Sequence, residues 1–136
     1  MKYLLDTCVI SDFIRGVGHT TDRFKNTPPS KIAISAITQM ELYYGVQLQS
    51  GTRKNYLEAF ITDVIKSVYV IPFDSKIALK TASLRADLKS NGTPIGAYDL
   101  LIGATAITYG LTLVTSNLKE FERIKSISIE NWRDKK

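Results

Sequence analysis

A chain of 136 residues has the length of one domain, and folding such a chain buries about two-thirds of the surface it exposes when extended. Its 44% hydrophobic and 23% charged residues are those of an ordinary soluble globular protein, and no apolar run approaches the roughly 20 residues of a membrane span. Eighteen basic against thirteen acidic residues leave a net charge of +5, which favours a polyanionic partner because each phosphate contact releases counterions.

Residues 2–5 are an apolar run that predicts a short buried strand. Asp6 follows at once, where the apolar core of a signal peptide would have to lie, so a cytoplasmic location with no membrane partner is expected. Val9, Ile10, Phe13 and Ile14 share one face of a predicted helix that stops near Gly16 and Gly18. Cys8, the sole cysteine, has no partner for an internal disulfide, and its plain reading is a small buried residue. His19, the single histidine, falls in a predicted loop. Thr27-Pro28-Pro29-Ser30 is a turn, since proline biases the preceding residue away from helix.

Residues 31–34 predict the second strand. Residues 35–49 follow as a helix, with Ile37, Met40, Tyr44 and Leu48 on its apolar stripe and Gly51 as its stop. A further helix is expected over 52–67, then a β-branched and aromatic strand over 68–71 ended by Pro72. Residues 74–90 form a long helix closed by Asn91-Gly92. Residues 93–98 are an irregular loop, and 99–109 a helix whose Gly103, Ala104 and Ala106 suit close packing against a sheet. Residues 111–115 give the fourth strand and 127–129 a short fifth. Strands alternating with helices predict one α/β domain over 1–136 with a mainly parallel sheet.

In open sheets of this kind ligands bind beyond the carboxyl ends of the strands. Asp6 lies at such a junction, Glu41 near the start of the helix after the second strand, Asp99 at the start of the helix after the Gly/Pro loop, and Glu120 just past the fourth strand. Carboxylates brought together repel, so that a pKa rises or a cation arrives. An oxygen-only cluster suits Mg²⁺ or Mn²⁺, and two such ions about 3.5–4 Å apart activate water and stabilise the leaving oxygen of a phosphodiester. Each acid also has a structural reading. Asp6 and Asp99 fit helix caps, Glu41 completes a capping box in Thr38-Gln39-Met40-Glu41, and Glu120 has Lys119 and Arg123 as surface partners. Asp74 occupies a similar junction and reads as an ordinary cap. A single histidine excludes a two-histidine ribonuclease, and neither a phosphate-binding loop nor a G-x-S-x-G elbow is present. An aspartyl-nucleophile phosphatase would want an acid two residues after Asp6, where Cys8 stands.

Four blocks carry a family likeness. Leu4-Leu5-Asp6-Thr7 is the first. The second runs from Ile34-Ser35 through Thr38 and Glu41-Leu42 to Tyr44-Gly45. The third runs from Gly92-Thr93-Pro94-Ile95-Gly96 to Tyr98-Asp99 and Leu101-Ile102-Gly103. The fourth comprises Leu113-Val114-Thr115, Asn117 and Glu120-Phe121-Glu122-Arg123-Ile124, with Ile129-Glu130-Asn131-Trp132 behind it. In this order they resemble the PIN-domain toxins of the VapC type over nearly the whole chain. The resemblance implies a three-layer α/β/α fold and a Mg²⁺- or Mn²⁺-dependent endoribonuclease that cuts RNA, tRNA among its substrates, through metal-activated water. It also implies a toxin of a type II toxin–antitoxin pair, a VapB-type antitoxin partner and a homodimer. Carried over by position, Asp6, Glu41, Asp99 and Glu120 match the acidic metal site, with Asn117 where other members place an acid. Thr7 and Thr115 match hydroxyl donors that orient the carboxylates. Cys8 departs from the family's usual polar residue, and a thiol beside the metal would invite inhibition by soft metals. Lys119, Arg123 and Lys125 are the expected phosphate contacts, and Tyr43, Tyr44, Tyr56 and Phe60 an expected partner surface. A non-catalytic RNA- or partner-binding module is the alternative.

Overall fold

The computed structural model describes residues 1–134. Five strands, β1 (Tyr3–Leu5), β2 (Ile32–Ser35), β3 (Tyr69–Ile71), β4 (Thr112–Val114) and β5 (Ile129–Glu130), form one sheet in the order β3-β2-β1-β4-β5, parallel throughout. Side chains alternate across it, as strand geometry requires. Leu4, Ala33 and Leu113 face one side, whereas Leu5, Ile32, Ile34 and Val114 face the other. Each side is roofed by helices. The first packs against α5 (Ser75–Ser90), α6 (Ala97–Thr108) and α7 (Leu118–Phe121), burying Ile77, Leu88, Ile102 and Phe121. The second packs against α1 (Thr7–Arg15), α3 (Ala36–Gln47) and α4 (Gly51–Ser67), burying Ile10, Val46, Ile61 and Trp132. The result is the expected three-layer α/β/α sandwich, with a sheet that is wholly rather than mainly parallel.

Sequence and structure part company in three places. His19 lies not in a loop but in a helix, α2 (Gly18–Asn26). Its sequence is polar and its start has no side-chain cap, so the usual signals are missing. Tertiary contacts hold it instead, with Phe24 stacked on Phe13 and the Thr20 hydroxyl donating to Asp12. On α3 the buried line is Thr38, Leu42 and Val46, while Met40, Tyr44 and Leu48 point outward. Two stripes of helical spacing compete in that segment, and the bulkier one is left exposed. Finally, Gly103 does not serve contact with the sheet. A Cβ there would come within 2.8 Å of Ile124 Cδ1, so the missing side chain lets the segment after α7 lie against α6.

That C-terminal segment is clamped to the opposite face. Asp12, almost fully buried on α1, accepts from Arg133 Nε at 2.6 Å and Nη2 at 2.7 Å, and from Arg15 Nη2 at 2.7 Å. Arg23 pairs with Glu130 at 3.0 Å and lies over the Trp132 ring. The Arg133 hydrogen bonds hold the Asp12 carboxyl below the usual carboxylate range despite its burial. A depressed native pKa stabilises the fold above the unfolded value and loses that contribution as pH falls through the native one. Arg133→Ala is therefore expected to cost about 1–2 kcal/mol in urea unfolding at pH 7, because Arg15 still partners Asp12 and part of the ion pair is solvent-screened. The deficit should close on acidification below about pH 4 as Asp12 protonates, and equal stability of the two proteins at pH 7 would contradict the clamp.

Candidate active site

The sheet order reverses direction at β1, since β2 and β3 lie to one side and β4 and β5 to the other. Such a switch point leaves a crevice beyond the carboxyl ends of the two strands that flank it. Asp6 stands in that crevice. Its backbone N–H extends the pairing with β4 by donating to Val114 O at 2.9 Å, and its side chain caps α1, with Oδ1 accepting from Thr7 N at 2.8 Å. The cap does not use up the carboxylate. Oδ2 accepts from the buried Thr115 hydroxyl at 2.8 Å, so both oxygens are oriented in a residue only 6% exposed.

The other acids reach the same point from separate elements. Glu41, one turn into α3, accepts from Thr7 Oγ1 at 2.6 Å. It makes no capping-box bond: the α3 cap is Ser35, whose hydroxyl accepts from Thr38 N at 3.0 Å. Asp99 lies in the first turn of α6 but does not cap it, that position being Gly96. Burial raises the Asp99 carboxyl first, and the negative charges of Asp6, Glu120 and Glu41 raise it further, to about 6. The three distant acids are thus its electrostatic neighbours. Asn117 Nδ2 donates to Asp99 Oδ2 at 3.3 Å. Glu120, on α7, is braced on two sides, accepting from the Gly96 N–H at 3.2 Å and lying 3.6 Å from Arg123 Nη1. Asp74 stays apart from this group and caps α5 by accepting from Ile77 N at 2.9 Å.

Thr7 and Thr115 each bond an acid, as expected of them. Sequence reasoning overlooked Ser35 and Thr38, which continue the Thr7–Glu41 contact inward: Thr38 Oγ1 lies 3.3 Å from Thr7 Oγ1 and 3.4 Å from Ser35 Oγ. The available signal was Ser35 at the end of β2 with Thr38 three residues on, a cap spacing that displaces the one centred on Thr38. Arg123, expected on phosphate, is occupied instead. It donates to Pro94 O at 2.8 Å and so ties the loop 93–96 to α7. Lys119 and Lys125 are exposed, as phosphate contacts would need to be. Cys8 is half-buried beside the acids. Its Sγ lies 3.6 Å from Asp6 Oδ2 and accepts from Ser116, and burial together with the Asp6 charge pushes the thiol pKa up.

The donor set suits a hard divalent cation, since every acid offers oxygen. Among the described residues no three His, Cys, Asp or Glu side chains close around a single point. Mg²⁺ does not ask for such a cage, because it binds through one or two carboxylates and keeps waters that a phosphate displaces.

The PIN domain family matches residues 3–127. This chain is a VapC-type PIN domain. It is 39% identical to the tRNA(fMet)-specific endonuclease VapC of Salmonella typhimurium, over 97% of this chain and 98% of that one. Ribonuclease VapC of Haemophilus influenzae is 35% identical over the same shares. Among solved structures, DNA-bound VapBC from Salmonella typhimurium superposes with a TM-score of 0.86 at 39% identity, covering 97% of this chain and 98% of that one. FitAcB from Neisseria gonorrhoeae superposes at 0.89 and 30% identity, covering 96% and 97%.

The raised Asp99 pKa of this PIN domain gives a stability test. A carboxyl that binds its proton more tightly when folded loses native stability as pH rises from its unfolded value, 3.8, through its native one, about 6. In EDTA at pH 7.5, Asp99→Asn should raise Tm by about 2–4 °C. The gain should shrink from pH 6 downward and vanish below pH 3.8. An unchanged or lower Tm at pH 7.5 would show that the acids do not crowd one another.

Proposed function

We propose that this chain is the toxin of a type II toxin–antitoxin pair and acts as a Mg²⁺- or Mn²⁺-dependent endoribonuclease. The observation that carries the reading is the meeting of Asp6, Glu41, Asp99 and Glu120, from four separate segments, at the switch point of a parallel sheet. A net charge of +5 on a chain that gathers acids at one point suits a polyanion bound by the surface and a cation bound at the centre. The name of the Salmonella relative supports tRNA as a substrate, and the VapBC and FitAcB structures support a VapB-type antitoxin partner. A homodimer belongs to the same reading. Tyr44, Leu48 and Tyr56, exposed on the outer face of α3 and α4, are apolar surface for a protein partner, while Tyr43 and Phe60 pack into the core. No helix among the described residues is long and apolar enough to cross a membrane, and we place the activity in the cytoplasm.

In the mechanism, Asp6 and Asp99 hold the cation, Glu41 holds it directly or through water, and Glu120 contributes from the rim. A bound divalent cation supplies an activated water and neutralises charge on the phosphate. The chain's own groups do the rest. Thr115 and Thr7 fix the rotamers of Asp6 and Glu41, so that their remaining lone pairs face the crevice. Asn117 holds Asp99 with a neutral donor, which adds no like charge to a carboxyl already burdened by three. The scissile phosphate lies over these acids, water attacks phosphorus in line, and a 3′-hydroxyl leaves.

Cleavage of bulk tRNA in Mg²⁺, with end mapping of the products, tests the reading. Asp6→Asn and Asp99→Asn should each lower the rate at least about 100-fold, and Thr7→Val about 10-fold. EDTA should abolish cutting, and the products should carry 3′-hydroxyl ends. Parental rates in both aspartate variants, or cutting that persists in EDTA, would refute the proposal. A parent that binds tRNA without cutting it would favour the non-catalytic module instead.

A further inference from the structure

The loop 93–96 has two sides. On one, the Gly96 N–H holds Glu120 at the acidic site. On the other, Pro94 and Ile95 form a wall of an open groove of about 540 Å³ between α5 and α6. Leu88 and Leu101 complete its apolar lining, and Arg85 and Lys89 stand at its edge. Both cations are exposed and form no ion pair among the described residues. Asp87, the acid between them in sequence, turns to a neighbouring cavity with Arg123 and Lys125, so no carboxylate lines this groove.

We propose that the groove is a nucleotide subsite that takes one unstacked base of the RNA strand a few nucleotides from the scissile phosphate. The inference rests on the ribonuclease reading and adds a place for the strand beyond the cut. Its volume lies within the range of small-ligand sites. A base has two apolar faces, which suit the Pro94, Ile95 and Leu101 wall on one side and the Arg85 guanidinium plane on the other. Lys89, a compact point charge, meets a flanking phosphate. An apolar peptide would leave both cations unpaired, whereas a polyanion neutralises them. Continuity favours the same occupant, because a single four-residue loop separates the groove from Glu120 and holds both walls in register.

The probe is a fluorescein-labelled oligouridylate of about 12 nucleotides carrying one 4-thiouridine. It is bound in EDTA by the full chain in which Asp99→Asn prevents cutting. Fluorescence anisotropy should show Arg85→Glu/Lys89→Glu weakening Kd about 10-fold, with the slope of log K against log salt reduced by about 1.4, the value for two lost contacts on a single strand. Near-ultraviolet irradiation should crosslink the thiobase to peptides spanning 85–101, and the double variant should lose that crosslink. Circular dichroism should give the double variant the parental Tm, since the two residues are exposed. Unchanged affinity and slope, or crosslinks confined to other segments, would overturn the subsite and leave the ribonuclease reading standing. Failure of the unsubstituted groove to bind the strand at all would overturn both. Capture of the antitoxin on the groove, blocked by the same double substitution while RNA binding is unaffected, would assign the surface to protein and overturn the nucleotide subsite.

Discussion

Mutual repulsion among carboxylates is the constraint around which this fold is arranged. Four acids far apart in sequence become neighbours at the C-terminal edge of the sheet, and Asp99 registers the crowding through a pKa pushed up to about 6. No lysine or arginine neutralises Asp6, Glu41 or Asp99 among the described residues. Neutral donors orient them instead: hydroxyls of Thr7 and Thr115 and the amide of Asn117. Such donors hold geometry without cancelling charge, so the negative potential stays available to an incoming cation.

The remainder of the architecture serves to keep that edge rigid. β1 lies at the centre of the sheet and is paired on both sides, which fixes the backbone of Asp6 between β2 and β4. Its two faces are covered by separate apolar layers, so displacing Asp6 would mean shearing both cores. The C-terminal segment touches each layer. Ile124 fills the space left by Gly103 on α6, while Arg133 and Trp132 fasten to α1 and α2. One strand of chain thereby ties Glu120, the base of α6 and the helix that Asp6 caps into one frame.

Much of this was legible in the sequence because strong local signals coincided with the tertiary result. Short β-branched runs separated by longer segments gave the parallel sheet, and Asp74 behaved as the plain cap its position indicated. The four acids lay at strand–helix junctions, where a sheet of this order concentrates them. What escaped was decided by contacts that no local pattern encodes. The helix α2 is polar and uncapped, and exists through Phe13 and Asp12. The buried face of α3 was chosen by the sheet beneath it, which accepts Thr38 and Val46 and leaves Tyr44 and Leu48 outside. Arg123 looked like a phosphate ligand by proximity alone, whereas the carbonyl of Pro94 claims it. Cap and functional readings of Asp6 proved to be compatible, since one carboxylate has enough lone pairs for both.

The account depends on Asp99 titrating under the charge of its three neighbours and releasing its proton when a cation arrives. Carboxyl ¹³C chemical shifts of Asp99, followed against pH without and with Mg²⁺, measure this at the atom concerned. The expected result is a midpoint of about 6 in the metal-free protein that moves to lower pH on adding Mg²⁺. A midpoint at the ordinary value of 3.8, unmoved by the cation, would contradict it.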